Sequence, residues 1–251
     1  MRYPFILIAL LIILCSCNNQ LVVSRVEANN ISNDSLVMLS DADVAELVAP
    51  YRENLEGDMS RVISISNDDL VRAKPESELT NLVADILLET GVAFCQFANH
   101  DFMPDVAYMN YGGLRVALPK GEITVGHIFQ LMPFENEMVL LKVSGETMEQ
   151  FVQQIALRGG DGVAGMRLGI VDGRIGHLEV DGKAFDVKKD YWVVTNDYIA
   201  AGGDDMSMLA NRKEFIETGM KIRDIMIERL ELEHQRGRQI QGILDGRIYY
   251  E

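Results

Sequence analysis

Residues 105–115 read DVAYMNYGGLR. Asp105 to Met109 alternates well enough for a short buried strand, and Asn110-Tyr111-Gly112-Gly113 supplies turn residues that tolerate positive φ or leave the backbone bare. Such a strand delivers Asn110 and Arg115 to one loop. Paired glycines let a ligand approach backbone N–H groups, and an amide and a guanidinium beside them can grip hydroxyl, carboxylate or phosphate oxygens. On residue types alone an ordinary turn is the better reading. The weight of the stretch comes from a second one of the same design, Thr195 to Asp204.

That second stretch follows an apolar strand, Tyr191 to Thr195, and runs Asn196-Asp197-Tyr198-Ile199-Ala200-Ala201-Gly202-Gly203-Asp204. Each loop therefore has a strand end, an Asn, paired glycines and a charged residue. Arg115 suits phosphate or carboxylate, whereas Asp204 only accepts and suits vicinal hydroxyls, as on a ribose. Tyr198 offers a flat ring for a base. Together they describe a nucleotide-like ligand. Core packing for Tyr198 and an Asx-turn for Asp204 stand beside that reading.

Around this centre the chain runs in order. Residues 1–16, MRYPFILIALLIILCS, form a secretory signal: one early Arg, an apolar run shorter than a membrane span of about 20 residues, then an abrupt polar boundary. Leu14-Cys15-Ser16-Cys17 resembles a bacterial lipobox, which makes Cys17 the expected lipidated N-terminus. A plain signal peptide or an uncleaved anchor is the alternative. Residues 17–39 read as lipid anchor and polar tether, and 40–251 as one domain. The expected location is the bacterial cell envelope, lipid-anchored, facing the periplasm or on the outer membrane. Cys95 is then the only cysteine besides Cys15 and Cys17, so the core must provide the stability. Its neighbours Val92, Phe94 and Phe97 favour a buried apolar group over a nucleophile. A net charge of −15 argues against nucleic acid as a partner.

Helical spacing starts at Ser40 with Val44, Leu47, Val48 and Tyr51, and a short strand follows at Val62 to Ile65. A second helix, capped near Ser77, carries Leu79, Leu82, Val83, Ile86 and Leu87 and is expected to stop at Gly91. Pro119-Lys120-Gly121 reads as a turn, Thr124 to Leu131 as a helix, and Pro133-Phe134-Glu135-Asn136 as its end. Glu137 to Val143 is a strand, and Ser144 caps a helix with Met148, Phe151, Val152 and Ile155 inward. Strands near Arg167 to Val171 and Ile175 to Val180 precede a hairpin turn at Asp181-Gly182. A charged helix spans Met220 to Gln235, and Gly246 to Tyr250 closes the chain as a strand. Helices and strands mix without a βαβ rhythm, so the expected class is α+β.

No reactive centre is evident. His100, His127, His177 and His234 are scattered, with no helical pair and no HExxH pattern. No GxSxG elbow or phosphate-binding loop occurs.

Five segments in order, PESELTNLVAD (75–85), DVAYMNYGGLR (105–115), GEITVGHIFQLMPFEN (121–136), VAGMRLGI (163–170) and TNDYIAAGGDDM (195–206), resemble the C-terminal domain of 5′-nucleotidases and UDP-sugar hydrolases. The resemblance implies a four-layer α-β-β-α sandwich that supplies the nucleotide-binding side of an active site. It implies substrate contacts at Asn110 and Arg115, base stacking at Tyr198 and ribose hydroxyls at Asp204, with Gly112, Gly113, Asn196, Asp197 and Gly203 completing the two loops. A second stacking aromatic is expected before Val163, where the chain has Gly159-Gly160-Asp161-Gly162; an arginine is expected at Pro75. In that family the divalent metals belong to a separate metallophosphatase domain. The expectation is therefore a nucleotide- or nucleoside-binding half of an enzyme, without catalytic residues, metal or cofactor of its own, working with a metallophosphatase subunit. A non-catalytic nucleoside-binding lipoprotein and a remnant with a decayed pocket are the alternatives.

Overall fold

The structure, a computed structural model, describes residues 42–251; the expected signal, Cys17 and the 17–39 tether lie outside them. Residues 49–251 form one compact unit. Helix α1 (Ala42–Ser60) comes first, and its apolar stripe of Val44, Leu47, Val48 and Tyr51 is exposed. Strand β1 (Val62–Ser66) then pairs antiparallel with β3 (Gly121–Thr124) as a small ribbon, so the expected turn at Gly121 opens into a strand.

The centre of the unit is a five-stranded sheet in the order β10-β4-β9-β2-β5, made of β2 (Val106–Met109), β4 (Glu137–Ser144), β5 (Gly162–Ala164), β9 (Asp190–Asn196) and β10 (Glu214–Lys221). Its inner strands are buried on both faces, and alternation divides their side chains between two cores. Ala107, Met109, Met138, Leu140, Trp192 and Val194 face the first core. Val106, Tyr108, Val139, Leu141, Tyr191 and Val193 face the second. One residue of register slip would exchange the two sets, which pins the pairing.

Helix α2 (Glu78–Phe97) covers the first face together with α6 (Ile222–Gln235). Ser77 caps α2 as expected, in a capping box with Thr80. The helix does not stop at Gly91. A Cβ there would lie 2.5 Å from Val194 Cγ2, so this glycine lets the helix press onto β9 instead of ending it. Cys95 is buried in this core, and burial pushes its thiol pKa up, whereas Phe97 projects into solvent.

The second face packs against α4 (Gly145–Leu157), whose Met148, Phe151, Val152 and Ile155 are buried as their spacing predicts. A four-stranded sheet completes this core: β11 (Ile248–Tyr250), β6 (Met166–Val171), β7 (Arg174–Val180) and β8 (Lys183–Ala184), in that order. Helix α3 (Val125–Leu131), capped by Thr124, and the short α5 (Asp197–Ala200) finish the mixed helix-and-sheet layers that the sequence implied. Strand β10 escaped the sequence reading because it is a charged edge strand, EFIETGMK, with little apolar alternation. Among the described residues no helix is long and apolar enough to cross a membrane.

Candidate functional site

Register brings the two loops together. Strands β2 and β9 are parallel neighbours, with Val106 opposite Val193 and Ala107 opposite Val194, so their C-terminal ends open onto the same edge of the sheet. Asn110 leaves β2 there, and Asn196 ends β9 beside it. The antiparallel neighbours begin at that edge: Met138 of β4 faces Asn196, and Gly162 of β5 faces Met109. The loops preceding β4 and β5 therefore join the same place.

A cleft of about 270 Å³ opens at this edge, lined by Asn110, Gly112, Gly113, Arg115, Phe134, Asn136, Tyr198 and Asp204. The first loop forms a 3-10 turn at Tyr111–Gly113 and is stapled by Arg72, which donates to the carbonyls of Tyr111 at 3.0 Å and Leu114 at 2.6 Å. Arg115 lies exposed along the rim, its Nη1 3.2 Å from the Gly112 carbonyl. In the second loop Gly202 takes φ +95° and Asp204 φ +52°, a left-handed conformation that aspartate tolerates better than most side chains.

Asp204 is where the loops meet. Its Oδ2 accepts from Asn110 Nδ2 at 2.8 Å and from Arg158 Nη2 at 3.4 Å, and its Oδ1 accepts from the Tyr198 hydroxyl at 3.0 Å. Gly203 is required for this arrangement, because a Cβ there would lie 2.5 Å from Tyr198 Cζ. Tyr198 is 47% exposed and Phe134 54%, and both line the cleft beside a carboxylate, an amide and a guanidinium. That set can hold a flat aromatic group, a polyhydroxylated ring and an anionic end.

The remaining residues taken from the sequence play different parts. Asn196 is fully buried behind the wall: its amide donates to Asn110 Oδ1 at 3.2 Å while its oxygen caps α5 by accepting from Ile199 N at 2.8 Å. It orients Asn110. Asp197 accepts from Glu137 N at 3.2 Å and Tyr198 N at 2.9 Å, which joins the second loop to the start of β4.

Sequence reading missed Phe134 and Asn136, taking them only as the end of a helix. The aromatic expected before Val163 is not in that loop; the second ring of the cleft comes from Phe134. A phenylalanine between Pro133 and Glu135 in a polar turn was the available signal. The loop before β5 instead supplies Arg158 and Asp161, which sit behind the cleft. Asp161 is 1% exposed, and burial raises its carboxyl pKa above the usual range against the opposing pull of Tyr111 N–H, Arg158 and Lys74. Tyr108, buried beside it, has its hydroxyl pKa raised well above normal, by burial first and then by Asp161. Among the described residues no group of three His, Cys, Asp or Glu side chains is placed to hold a metal ion.

Residues 59–211 match the family model described as 5′-nucleotidase, C-terminal domain. The 5′-nucleotidase of Vibrio cholerae is 26% identical over 198 residues, covering 76% of this chain and 34% of that protein. The trifunctional nucleotide phosphoesterase protein YfkN of Bacillus subtilis is 29% identical over 194 residues, which are 71% of this chain and 12% of that one. The crystal structure of a 5′-nucleotidase precursor from Thermus thermophilus superposes with a TM-score of 0.68 at 26% identity, covering 84% of this chain and 43% of its own. This chain thus spans about a third of the length of the Vibrio relative. Matched over most of its described length in sequence and fold, the chain belongs to the 5′-nucleotidase C-terminal domain family.

Proposed function

We propose that the cleft at the C-terminal ends of β2 and β9 binds a nucleoside or nucleotide. One observation carries this reading: the two glycine loops, remote in sequence, converge so that Asn110 Nδ2 lies 2.8 Å from Asp204 Oδ2 at the wall of a cleft flanked by Tyr198 and Phe134. The rings take the base, Asp204 accepts ribose hydroxyls, and Arg115 with the backbone of Gly112 and Gly113 meets the phosphate end.

The described residues contain no metal-ligand set, so no hydrolytic step is assigned to them. The role proposed for the chain is recognition, with phosphoester cleavage supplied by a metallophosphatase unit that presents its metals to the bound nucleotide. The second reading, a nucleoside-binding lipoprotein without a catalytic partner, uses the same cleft and puts Cys17 at the lipid anchor. Calorimetric titration of the chain with adenosine and AMP tests the shared part. Asp204→Ala is expected to weaken both ligands, and Arg115→Ala to weaken AMP selectively. Wild-type protein that takes up neither nucleoside nor nucleotide at millimolar concentration overturns the reading.

A further inference from the structure

Behind the cleft, outside its lining, a buried carboxylate and a guanidinium connect the two loops. Asp161 precedes β5, and its Oδ1 accepts the backbone N–H of Tyr111, the first residue of the 3-10 turn, at 2.8 Å. Its Oδ2 accepts the Tyr108 hydroxyl and Arg158 Nε, each at 3.1 Å. Arg158, the C-cap residue of α4, turns its other end to the second loop: Nη1 lies 3.2 Å from the main-chain oxygen of Asp204 and Nη2 3.4 Å from its Oδ2. One guanidinium thus spans a fixed anion in the core and a residue held at φ +52° on the wall of the cleft.

We propose that the Asp161–Arg158 pair is a brace that fixes the Asp204 carboxylate toward the cleft, making Arg158 a positioning residue for the hydroxyl-accepting end of the site. Three observations support this assignment. Asp161 is buried with its charge met by three donors, so it offers a rigid anchor rather than a ligand for solvent. Arg158 reaches both the main chain and the side chain of Asp204, and it alone of the described side chains bonded to that carboxylate also holds the main-chain oxygen of this left-handed residue. The brace also reaches both loops from one point, through Tyr111 N–H on one side and Asp204 on the other, so their separation is set by side chains with little freedom. Short-range propensity explains neither residue. An aspartate in a run of three glycines would ordinarily face water, and this one does not.

The inference rests on the reading of Asp204 as the acceptor of ligand hydroxyls. Its test is calorimetric titration of the full chain with adenosine and with 2′,3′-dideoxyadenosine, which lacks both hydroxyls. Arg158→Lys keeps a cation opposite Asp161 but cannot reproduce the fork to Asp204, so the fold survives, and a thermal melt verifies it. Wild type is expected to prefer adenosine, and Arg158→Lys to reduce that preference on the order of tenfold, the loss of a charge-assisted contact. In an Asp204→Asn background the preference is already low, and adding Arg158→Lys leaves it unchanged. A folded Arg158→Lys protein with the wild-type preference overturns the brace and leaves the nucleoside reading intact. Equal effects of Arg158→Lys with Asp and with Asn at 204 overturn it as well. Wild type that binds both nucleosides equally removes the hydroxyl-acceptor role of Asp204 and the brace with it.

Discussion

Gly203→Ala separates the demands of the site from those of the fold. A Cβ at this position would fall 2.5 Å from Cζ and 2.7 Å from Cδ1 of Tyr198, so the ring has to leave. It has somewhere to go, because Tyr198 is 47% exposed and can swing into water. The loss to the fold is confined to the Tyr198 hydroxyl's bonds, 3.0 Å to Asp204 Oδ1 and 3.3 Å from Asp204 N. At about 0.5–1.5 kcal/mol each these amount to about 1–3 kcal/mol. For a domain of this size, that lowers Tm by about 2–4 °C per kcal/mol. Binding loses as well, since base stacking contributes about 1–3 kcal/mol, and adenosine affinity is expected to fall roughly fivefold to a hundredfold. Gly145→Ala is the control. There the Cβ would lie 2.5 Å from the carbonyl carbon and 2.7 Å from Cα of Val187, main-chain atoms that cannot step aside. Overpacking of this kind costs about 1–3 kcal/mol or more. It acts at the N-terminus of α4, away from the cleft lining, so Tm falls while the affinity of the folded fraction holds. Melting curves paired with calorimetry distinguish the two variants. Wild-type adenosine affinity in folded Gly203→Ala protein would refute the reasoning, as would reduced affinity in the folded fraction of Gly145→Ala.

Phe134→Ala should lower adenosine affinity by roughly tenfold with little change in Tm, because the ring is half exposed and its energy is spent on a stacked base; equal affinity would remove Phe134 from the site. Asp161→Asn tests the buried carboxylate through pH. Its folded-state pKa is raised, so only between the unfolded and the folded value does the native state keep a proton that the unfolded chain has released; this contribution is full below about pH 4 and lost as pH rises through the raised value, above which the carboxylate is an anion. The stability of wild type minus that of Asp161→Asn, from denaturant titrations, should therefore decline as pH rises from about 4 through the raised value; a difference that rises contradicts the assignment. Cys95, buried and with its thiol pKa raised by burial, should resist alkylation until the protein unfolds, and fast labelling of native protein would place it elsewhere.

Much of the fold is local in origin and could be read from the chain. Ser77, Thr124 and Ser144 each accept from the backbone N–H three residues on, so three helix starts were written in single residues and their neighbours. The apolar spacing of α4 survives into its buried face because one element decides it. Gly91 shows where local reading fails. A glycine after an apolar run has the sequence signature of a helix stop, but contact with Val194, about a hundred residues away in the chain, turns it into a packing device. Strand β10 failed for a related reason: its partner β4 supplies the apolar side of the pair, so its own sequence could stay charged.

The site divides along the same line. Asn110, Gly112, Arg115, Tyr198 and Asp204 were legible because each belongs to a strand end followed by turn residues, a pattern contained in about ten residues. Phe134 and Asn136 join them only through the antiparallel register of β4 with β9, and Arg158 and Asp161 only through that of β5 with β2. Nothing in a single sequence states those registers; they follow from dividing alternating side chains between two cores, a property of the whole sheet. The hydrophobic pattern that makes the sheet therefore also sets which polar residues share its edge. The loops before β4 and β5 carry site residues because those strands start where β2 and β9 end. A substitution that shifted either register would dismantle the cleft without touching a residue that lines it.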